Sequence, residues 1–293
     1  MVSQEELEGL DLTIWYGNAP KAASLVRCNQ STIFRRSQRC LEVFGLRLKR
    51  RQGQLALLGS SLLLQMEREI HQLARLLGQH ALRLEAFPSY AKSLLSPAPP
   101  GWMLGPQEAI GIQGPLSLLR ERIVDAWLTD AADDLPEPLD FPAVVWPLAR
   151  QPIHLSADAR HPLVGETNVT LSDLLRFPLP ILPKDVLPHT GGVCADLGLG
   201  TLEVASRRYD PQSWEGRTAD AVSLLYSNPL HTQTFPTLAP LATEPLLTNR
   251  LALVCRADVA EHARVQDLHC LLGLRLRHLK SHCPSLEKLI LLP

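Results

Sequence analysis

The chain has 293 residues, of which 45% are hydrophobic and 20% charged, and its 29 basic and 30 acidic residues give a formal net charge of −1. These values are typical of a globular protein of one to three domains and argue against disordered, fibrous and membrane classes. None of the six cysteines forms a Cys-x-x-Cys pair, so we predict neither a structural zinc site nor a disulfide scaffold. No apolar run approaches the roughly 18 residues of a membrane span, and the N-terminus does not resemble a signal peptide, so we expect a cytoplasmic protein.

The balanced total conceals an uneven distribution of charge. Between Lys21 and Ser60 there are nine basic residues and one acidic residue, a net +8, so the remaining 20 basic and 29 acidic residues give −9. Binding to nucleic acid depends on where charge is concentrated. The sequence therefore predicts a small basic N-terminal module joined to a larger acidic body.

The basic module has the pattern of three helices and a hairpin. A first helix ends near Gly17, and Asn18 and Asn29 are candidate N-caps of the second and third helices. In the third helix one face forms a buried stripe, made of Ile33, Ser37, Cys40 and Phe44. Residues 46–57 alternate around Gln52-Gly53 and predict a two-stranded ribbon. Together these elements predict a winged helix-turn-helix over residues 1–58.

The polar face of the third helix and the ribbon supply candidate DNA contacts. Glutamine and arginine read adenine and guanine in the major groove, small hydroxyl residues reach a base or a phosphate, and many basic contacts go to phosphates. The candidate reading residues are Gln30, Ser31, Thr32, Arg35, Arg36 and Arg39. The candidate phosphate contacts are Arg47, Lys49, Arg50 and Arg51. The alternative is an ordinary solvated helix face.

Residues 59–87 contain no proline and predict a long dimerisation helix. Its apolar seam follows a 3,4 spacing and consists of Leu63, Met66, Ile70, Leu73, Leu77 and Leu84. Residues 88–100, with four prolines, predict a hinge. We expect dimers more than tetramers.

Residues 101–293 alternate between strand-like and helix-like segments, which predicts an α/β body of two subdomains. The predicted strands are 102–104, 109–113, 126–128, 143–146, 153–156, 179–182, 201–205 and 251–256. The predicted helices are 116–123, 171–175, 218–226, 257–262 and 265–274. No catalytic motif, metal-ligand spacing or phosphate-binding glycine pattern occurs, so we predict neither an enzyme nor a cofactor.

Several of these segments resemble the LysR-type transcriptional regulators. The matching residues are Gly17, Lys21-Ala22-Ala23, Leu25, Asn29-Gln30-Ser31-Thr32-Ile33, Arg35-Arg36, Leu41-Glu42, Phe44-Gly45, Leu48, Arg51, residues 55–59, His161-Pro162-Leu163, Asp173-Leu174 and residues 251–256. The resemblance implies a multidomain chain: a winged helix-turn-helix, a dimerisation helix and an effector domain like a periplasmic binding protein. It also implies a homodimer on double-stranded DNA in the nucleoid, with RNA polymerase as a further candidate partner.

The resemblance places a small-molecule effector in a cleft between subdomains, near Gly105, Gln107, Thr190 and Gly191. The chain departs from the family at Phe34, where a small hydroxyl residue is usual, and at Leu57 and Leu58, where polar residues are usual. A helix between the first two strands of the effector domain, taken as 102–104 and 109–113, is missing from the pattern, so we predict an abbreviated domain. The alternative function is a divergent dimeric interaction protein that keeps the fold without specific DNA recognition or effector sensing.

Overall fold

The computed structural model describes residues 2–51, 54–90, 93–181, 183, 185–200, 202–204, 210, 212 and 214–292. The chain divides into two compact units. The first unit consists of Met1–Glu85, Pro100–Pro106 and Gly114–Trp127, and the second of Ala86–Pro99, Gln107–Gln113 and Leu128–Pro293. The predicted DNA-binding module and the helix that follows it thus share one unit with segments that the sequence assigned to the body.

The first unit begins with the predicted winged helix-turn-helix. Its elements are α1 (Gln4–Tyr16), α2 (Ala19–Leu25), α3 (Gln30–Phe44), β1 (Arg47–Arg51) and β2 (Gln54–Leu58). Ser3 and Glu6 form a capping box at the start of α1, and the Asn18 side chain accepts a hydrogen bond from the Lys21 amide at the start of α2. Strands β1 and β2 pair antiparallel, from Arg47 opposite Leu58 onward.

The predicted helix over residues 59–87 is wrong in its second half. Helix α4 covers Leu62–Leu76 and is followed by Gly78 at a φ of +86°, a left-handed conformation that ends the helix. The chain then forms strand β3 (Leu82–Ala86), which is buried along its whole length. Leu84, predicted for the dimer seam, therefore lies in the core of the first unit. Its spacing from Leu77 fits a heptad, but the alternation of Leu82, Leu84 and Ala86 also fits a strand.

The predicted strand 102–104 is present, but β3, which the sequence did not predict as a strand, precedes it as the first strand of the α/β part. Strand β3 pairs in parallel with β4 (Trp102–Leu104), and the described residues between them, 87–90 and 93–101, contain a 3₁₀ helix (Pro88–Tyr90) and turns but no α-helix. The sequence placed the missing helix after residue 104, whereas in the structure the segment between the first two strands lies before residue 102. Residues 109–113 do not form the predicted strand. They lead into α5 (Gln113–Arg120) and then β5 (Ala126–Thr129), which spans the boundary of the units.

Buried ion pairs hold the first unit together. The Asp11 carboxylate on α1 accepts a hydrogen bond of 2.8 Å from Arg68 Nε on α4 and one of 3.3 Å from Arg83 Nη1 on β3. Arg68 also donates to Glu121 Oε2 at 2.6 Å. Asp125, which precedes β5, accepts from both Nε and Nη2 of Arg75 on α4. These contacts join the basic module, α4 and the strands in one unit.

The second unit is built around one long strand, β6 (Ala143–Asp158). The other elements, in chain order, are α6 (Leu171–Leu174), β7 (Pro180–Ile181), α7 (Pro188–Asp196), β8 (Leu202–Glu203), β9 (Leu225–Ser227), α8 (Pro229–Thr234), β10 (Leu238–Pro240), β11 (Leu247–Arg256), α9 (Ala257–Ala260), α10 (Ala263–His282) and β12 (Ile290–Leu291). Strands β9, β10, β11 and β12 all pair antiparallel with β6, and β7 and β8 form a separate parallel pair. No helix of the described residues is long and apolar enough to cross a membrane.

Two expectations for the second unit are wrong. The predicted strands 143–146 and 153–156 are halves of β6, which continues through Pro147 because a register shift opposite Leu251 and Ala252 accommodates it. The predicted helix 218–226 is a 3₁₀ helix (Glu215–Asp220), a turn and then β9. The Asp220 carboxylate accepts hydrogen bonds from the amides of Val222 and Ser223 in that turn. The predicted strand 201–205 is represented by β8, while residues 201 and 205 lie outside the described chain.

Candidate functional site

Helix α3 is held against α1 by its buried stripe and presents a polar face to solvent. Ile33, Ser37, Cys40 and Leu41 are buried, whereas Phe44 is only half-buried. The Thr13 hydroxyl on α1 lies 3.2 Å from that of Ser37. Burial raises the pKa of the Cys40 thiol to about 12, and the nearby Asp11 charge acts in the same direction. Cys40 is therefore a small core residue, as its place in the stripe predicted.

The candidate reading residues are not equally free to contact a ligand. Gln30, Ser31, Arg35 and Arg39 are exposed, and Thr32 is half-buried at the first turn. The guanidinium of Arg36 instead donates to Glu5 of α1. Phe34, which we did not predict from the sequence as a DNA contact, is 62% exposed on the same helix.

The ribbon carries basic side chains beside α3. Arg47, Lys49 and Arg50 are exposed, while Leu48 and Leu57 pack against the core of the winged module. Arg50 Nη2 donates to the carbonyl of Gly17 at 3.0 Å, which ties the ribbon to the end of α1. The side chain of Arg51 and the turn residues Gln52 and Gly53 lie outside the described parts of the chain.

Helix α4 has two unlike faces. One is buried and polar and carries Arg68, Gln72 and Arg75. The other is exposed and apolar and consists of Leu62, Leu63, Met66, Ile70, Leu73 and Leu77, each more than half exposed. Five of the six residues predicted for the dimer seam lie on this apolar face. A contiguous exposed patch of large apolar side chains is typical of an interaction surface.

The second unit contains a cavity. The centre of a water molecule can occupy about 110 Å³ of it, several times the volume needed to hold one water. Its apolar lining includes Phe87, Ile110, Ile153, Leu187, Trp214 and Leu225. Its polar lining includes Asp130, Thr190, Asn228, His231 and Asn249. An apolar pocket with a few converging polar groups is typical of small-molecule sites.

Asp130 is the acidic group of this cavity. It follows β5, and Asn228, which follows β9, donates to its Oδ2 at 2.9 Å. Burial raises the pKa of the Asp130 carboxyl, against the opposing effect of its hydrogen bonds to Tyr90 and Asn228. Burial also raises the pKa of Tyr90, whose hydroxyl accepts a 2.7 Å hydrogen bond from Gln151 Nε2.

The four residues implied for an effector are placed differently from one another. Thr190 lines the cavity, and its hydroxyl donates to Asp134 Oδ2 at 3.1 Å. Gly105 instead lies in the first unit, closely packed against Glu85 and Trp15. Gln107 and Gly191 are not among the residues that line the cavity.

The sequence missed Asp130 and Asn228, although a polar residue directly after a strand is a recognised signal for a ligand site in α/β folds. Because a strand was predicted at 126–128, this signal could have identified Asp130. Asn228 was hidden because β9 was predicted as the end of a helix. Among the residues that the structure describes, no group of three or more His, Cys, Asp or Glu side chains is placed to hold a metal ion.

Comparison with known proteins gives a match in structure but not in sequence. No protein-family model matches the chain, and no curated protein matches it. A full-length OxyR variant from Pseudomonas aeruginosa superposes with a TM-score of 0.55 at 14% identity, over 94% of this chain and 95% of that one. Full-length CbnR in complex with its target DNA gives a TM-score of 0.51 at 14% identity, over 94% and 99%.

The regulatory domain of MetR from Neisseria meningitidis, described as a LysR family regulator, gives a TM-score of 0.51 at 12% identity, over 73% of this chain and all of that domain. The chain therefore has the fold of full-length LysR-type regulators, an N-terminal helix-turn-helix followed by an α/β effector-type domain. The resemblance drawn from the sequence is confirmed at the level of the fold.

Proposed function

We propose that this protein is a sequence-specific DNA-binding transcriptional regulator of the LysR type that acts on the nucleoid as a homodimer. The observation that carries the proposal is the exposed polar face of α3, with Gln30, Ser31, Arg35 and Arg39 directed away from a well-packed core. Arginine and glutamine are the side chains that make bidentate contacts to guanine and adenine. The basic ribbon beside this face supplies phosphate contacts that would fix the register on the duplex.

The fold supports this proposal, since CbnR shares it and is described in complex with its target DNA. The concentration of positive charge in the module supports it as well, because phosphate neutralisation provides essentially all of the non-specific affinity of DNA-binding proteins. Two candidates are engaged within the module: the guanidinium of Arg36 by Glu5, and that of Arg50 by the Gly17 carbonyl. RNA polymerase stays a candidate partner of such a regulator.

Dimerisation is proposed through the apolar face of α4. Its large side chains follow the 3,4 spacing with which two helices pack in a seam. A dimer would present two copies of α3 to the half-sites of a pseudo-palindrome. The buried polar face of α4 fixes which side of the helix remains available for the partner.

A small-molecule effector is proposed for the cavity of the second unit. Its apolar walls and the polar groups at the ends of β5 and β9 are the features that support a ligand there. A small molecule that both raises the melting temperature and changes the affinity for the operator would establish this role.

Selection of bound fragments from random duplex DNA with the purified full chain tests the proposed function. A conserved half-site, with affinity falling steeply as salt increases, is the expected result. In fluorescence anisotropy, Arg35→Ala should weaken binding to the selected duplex by about 1 to 3 kcal/mol, whereas Arg176→Ala, an exposed arginine of the second unit, should not. Binding that is absent, or equal for all sequences, would instead support a divergent interaction protein.

A further inference from the structure

Phe34 is a largely exposed aromatic residue at the edge of a groove of the winged module, whose lining includes Leu41, Leu48 and Leu55. Its side chain is 62% accessible in the middle of α3, a helix whose other exposed side chains are mainly polar. Ile33 and Cys40, which hold α3 in place, lie about 100° and about 120° around the helix axis from Phe34, whereas Leu41, two turns further along, lies on the same side. Most of the ring stays exposed, so the groove does not by itself account for a large aromatic side chain at this position.

The surroundings of Phe34 identify the kind of partner that fits it. Gln30 and Gln38 lie one helical turn before and after it, Ser31 is three residues before it, and all three are exposed on the same side of α3. Arg35 is the next residue along the chain and is also exposed. The phenyl ring is thus an apolar group set among the side chains proposed to read base edges.

The major groove of DNA offers a complementary apolar group. Each base pair presents donors and acceptors there, and thymine alone adds a C5-methyl group, which phenylalanine contacts in other complexes. A positively charged module brings the duplex to this face, and the ring then has one type of apolar partner available to it.

We propose that Phe34 is a specificity-determining residue that packs against the C5-methyl group of a thymine in each half-site of the operator. The proposal rests on the proposed function as a DNA-binding regulator. It predicts that the operator contains a required thymine whose hydrogen-bonding groups are less important than its methyl group.

Replacement of thymine by deoxyuridine tests the proposal, because it removes only the methyl group. In the duplex obtained by selection, each thymine is replaced in turn and the affinity of the full chain is measured by anisotropy. We expect one position per half-site at which the replacement weakens binding about fourfold, the equivalent of about 0.8 kcal/mol for one buried carbon group. Replacement in both half-sites should weaken binding about fifteenfold.

The variant Phe34→Ala should bind the thymine and deoxyuridine duplexes equally well. Val43→Ala is the matched control, since Val43 is an exposed apolar residue at the end of the same helix, and this variant should keep the full sensitivity. Circular dichroism of both variants checks that α3 is intact. The measurement on the unaltered protein stands even if Phe34→Ala does not fold.

The outcomes separate this inference from the proposed function. If selection yields no specific duplex, the proposed function fails and the inference fails with it. If a duplex is selected but no deoxyuridine replacement weakens binding, the proposed function survives and the role of Phe34 is refuted. A Phe34→Ala variant that remains as sensitive to the methyl group as the parent also refutes it, and would leave the ring as a contact for another protein.

Discussion

Asp125 is the buried carboxylate whose loss should most destabilise the first unit. It is fully buried and accepts four hydrogen bonds, and its partner Arg75 has a side chain that is only 5% exposed. Oδ1 accepts from Gln72 Nε2 and Arg75 Nη2, at 2.9 and 2.8 Å, and Oδ2 accepts from Arg75 Nε and the Arg83 amide, also at 2.9 and 2.8 Å. Asp125→Asn keeps the shape of the side chain but removes its charge.

The size of the effect follows from these contacts. Whichever oxygen becomes the amide nitrogen, one bond from Arg75 and one further bond are lost, and the guanidinium keeps a buried charge without its counter-ion. Removing one partner of a buried pair costs about 3 to 5 kcal/mol. A typical protein is stable by about 5 to 15 kcal/mol, so the variant should lose a large share of its stability.

Urea unfolding followed by circular dichroism measures this loss. The midpoint for Asp125→Asn should fall well below that of the parent. The control is Arg160→Gln, which removes the partner of Asp158 at an arginine that is 69% exposed, and its midpoint should stay at the parental value. A free energy of unfolding for Asp125→Asn within about 1 kcal/mol of the parent would refute the reasoning. It would mean that Arg75 does not need Asp125 as its counter-ion inside the protein.

Two further predictions concern association and thiol chemistry. Ile70→Glu places a charge in the proposed seam, so light scattering should show a monomer of 32.4 kDa in place of a dimer of twice that mass. Gln65→Glu, an exposed change on the same helix, should leave the dimer intact. Equal masses for both variants would remove α4 from the interface. Because burial raises the pKa of Cys40 to about 12, it should stay a neutral thiol and resist iodoacetamide at pH 8 in the native protein, while the exposed Cys270 is alkylated. Mass spectrometry of native and urea-unfolded samples distinguishes them, and native labelling of Cys40 would contradict the packing of α3.

The sequence was most informative where a local period and a cap agreed. The stripe on α3, the Asn18 cap and Gly17, which ends α1, predicted the winged module, because each depends on residues close together in the chain. Strand β3 was missed because Leu77 and Leu84 continue the heptad of α4. Whether the segment around Arg83 forms a helix or a strand depends on Asp11, Ile123 and Asp125, which bind the buried Arg83 from distant parts of the chain.

The candidate site shows the same division. Exposure of α3 residues follows from the position of the buried stripe, so the polar face could be predicted, but the engagement of Arg36 by Glu5 depends on how α1 crosses α3. The cavity draws its lining from segments between Phe87 and Asn249, and no period in the sequence relates them. Only the lining residues that follow a strand, Asp130 and Asn228, could be predicted from the sequence, and the strand before Asn228 was predicted as a helix.

The two faces of α4 have a consequence for how the protein would choose its DNA sites. Neighbouring residues of an α-helix differ by about 100° around its axis, so rolling α4 by a single residue would withdraw Arg68 from Asp11 and Glu121. The helix therefore cannot turn about its own axis to suit different partners. In a dimer built on its apolar face, the separation and phase of the two reading helices would be set by ion pairs inside each subunit, and the spacing between half-sites would be a fixed property of the chain.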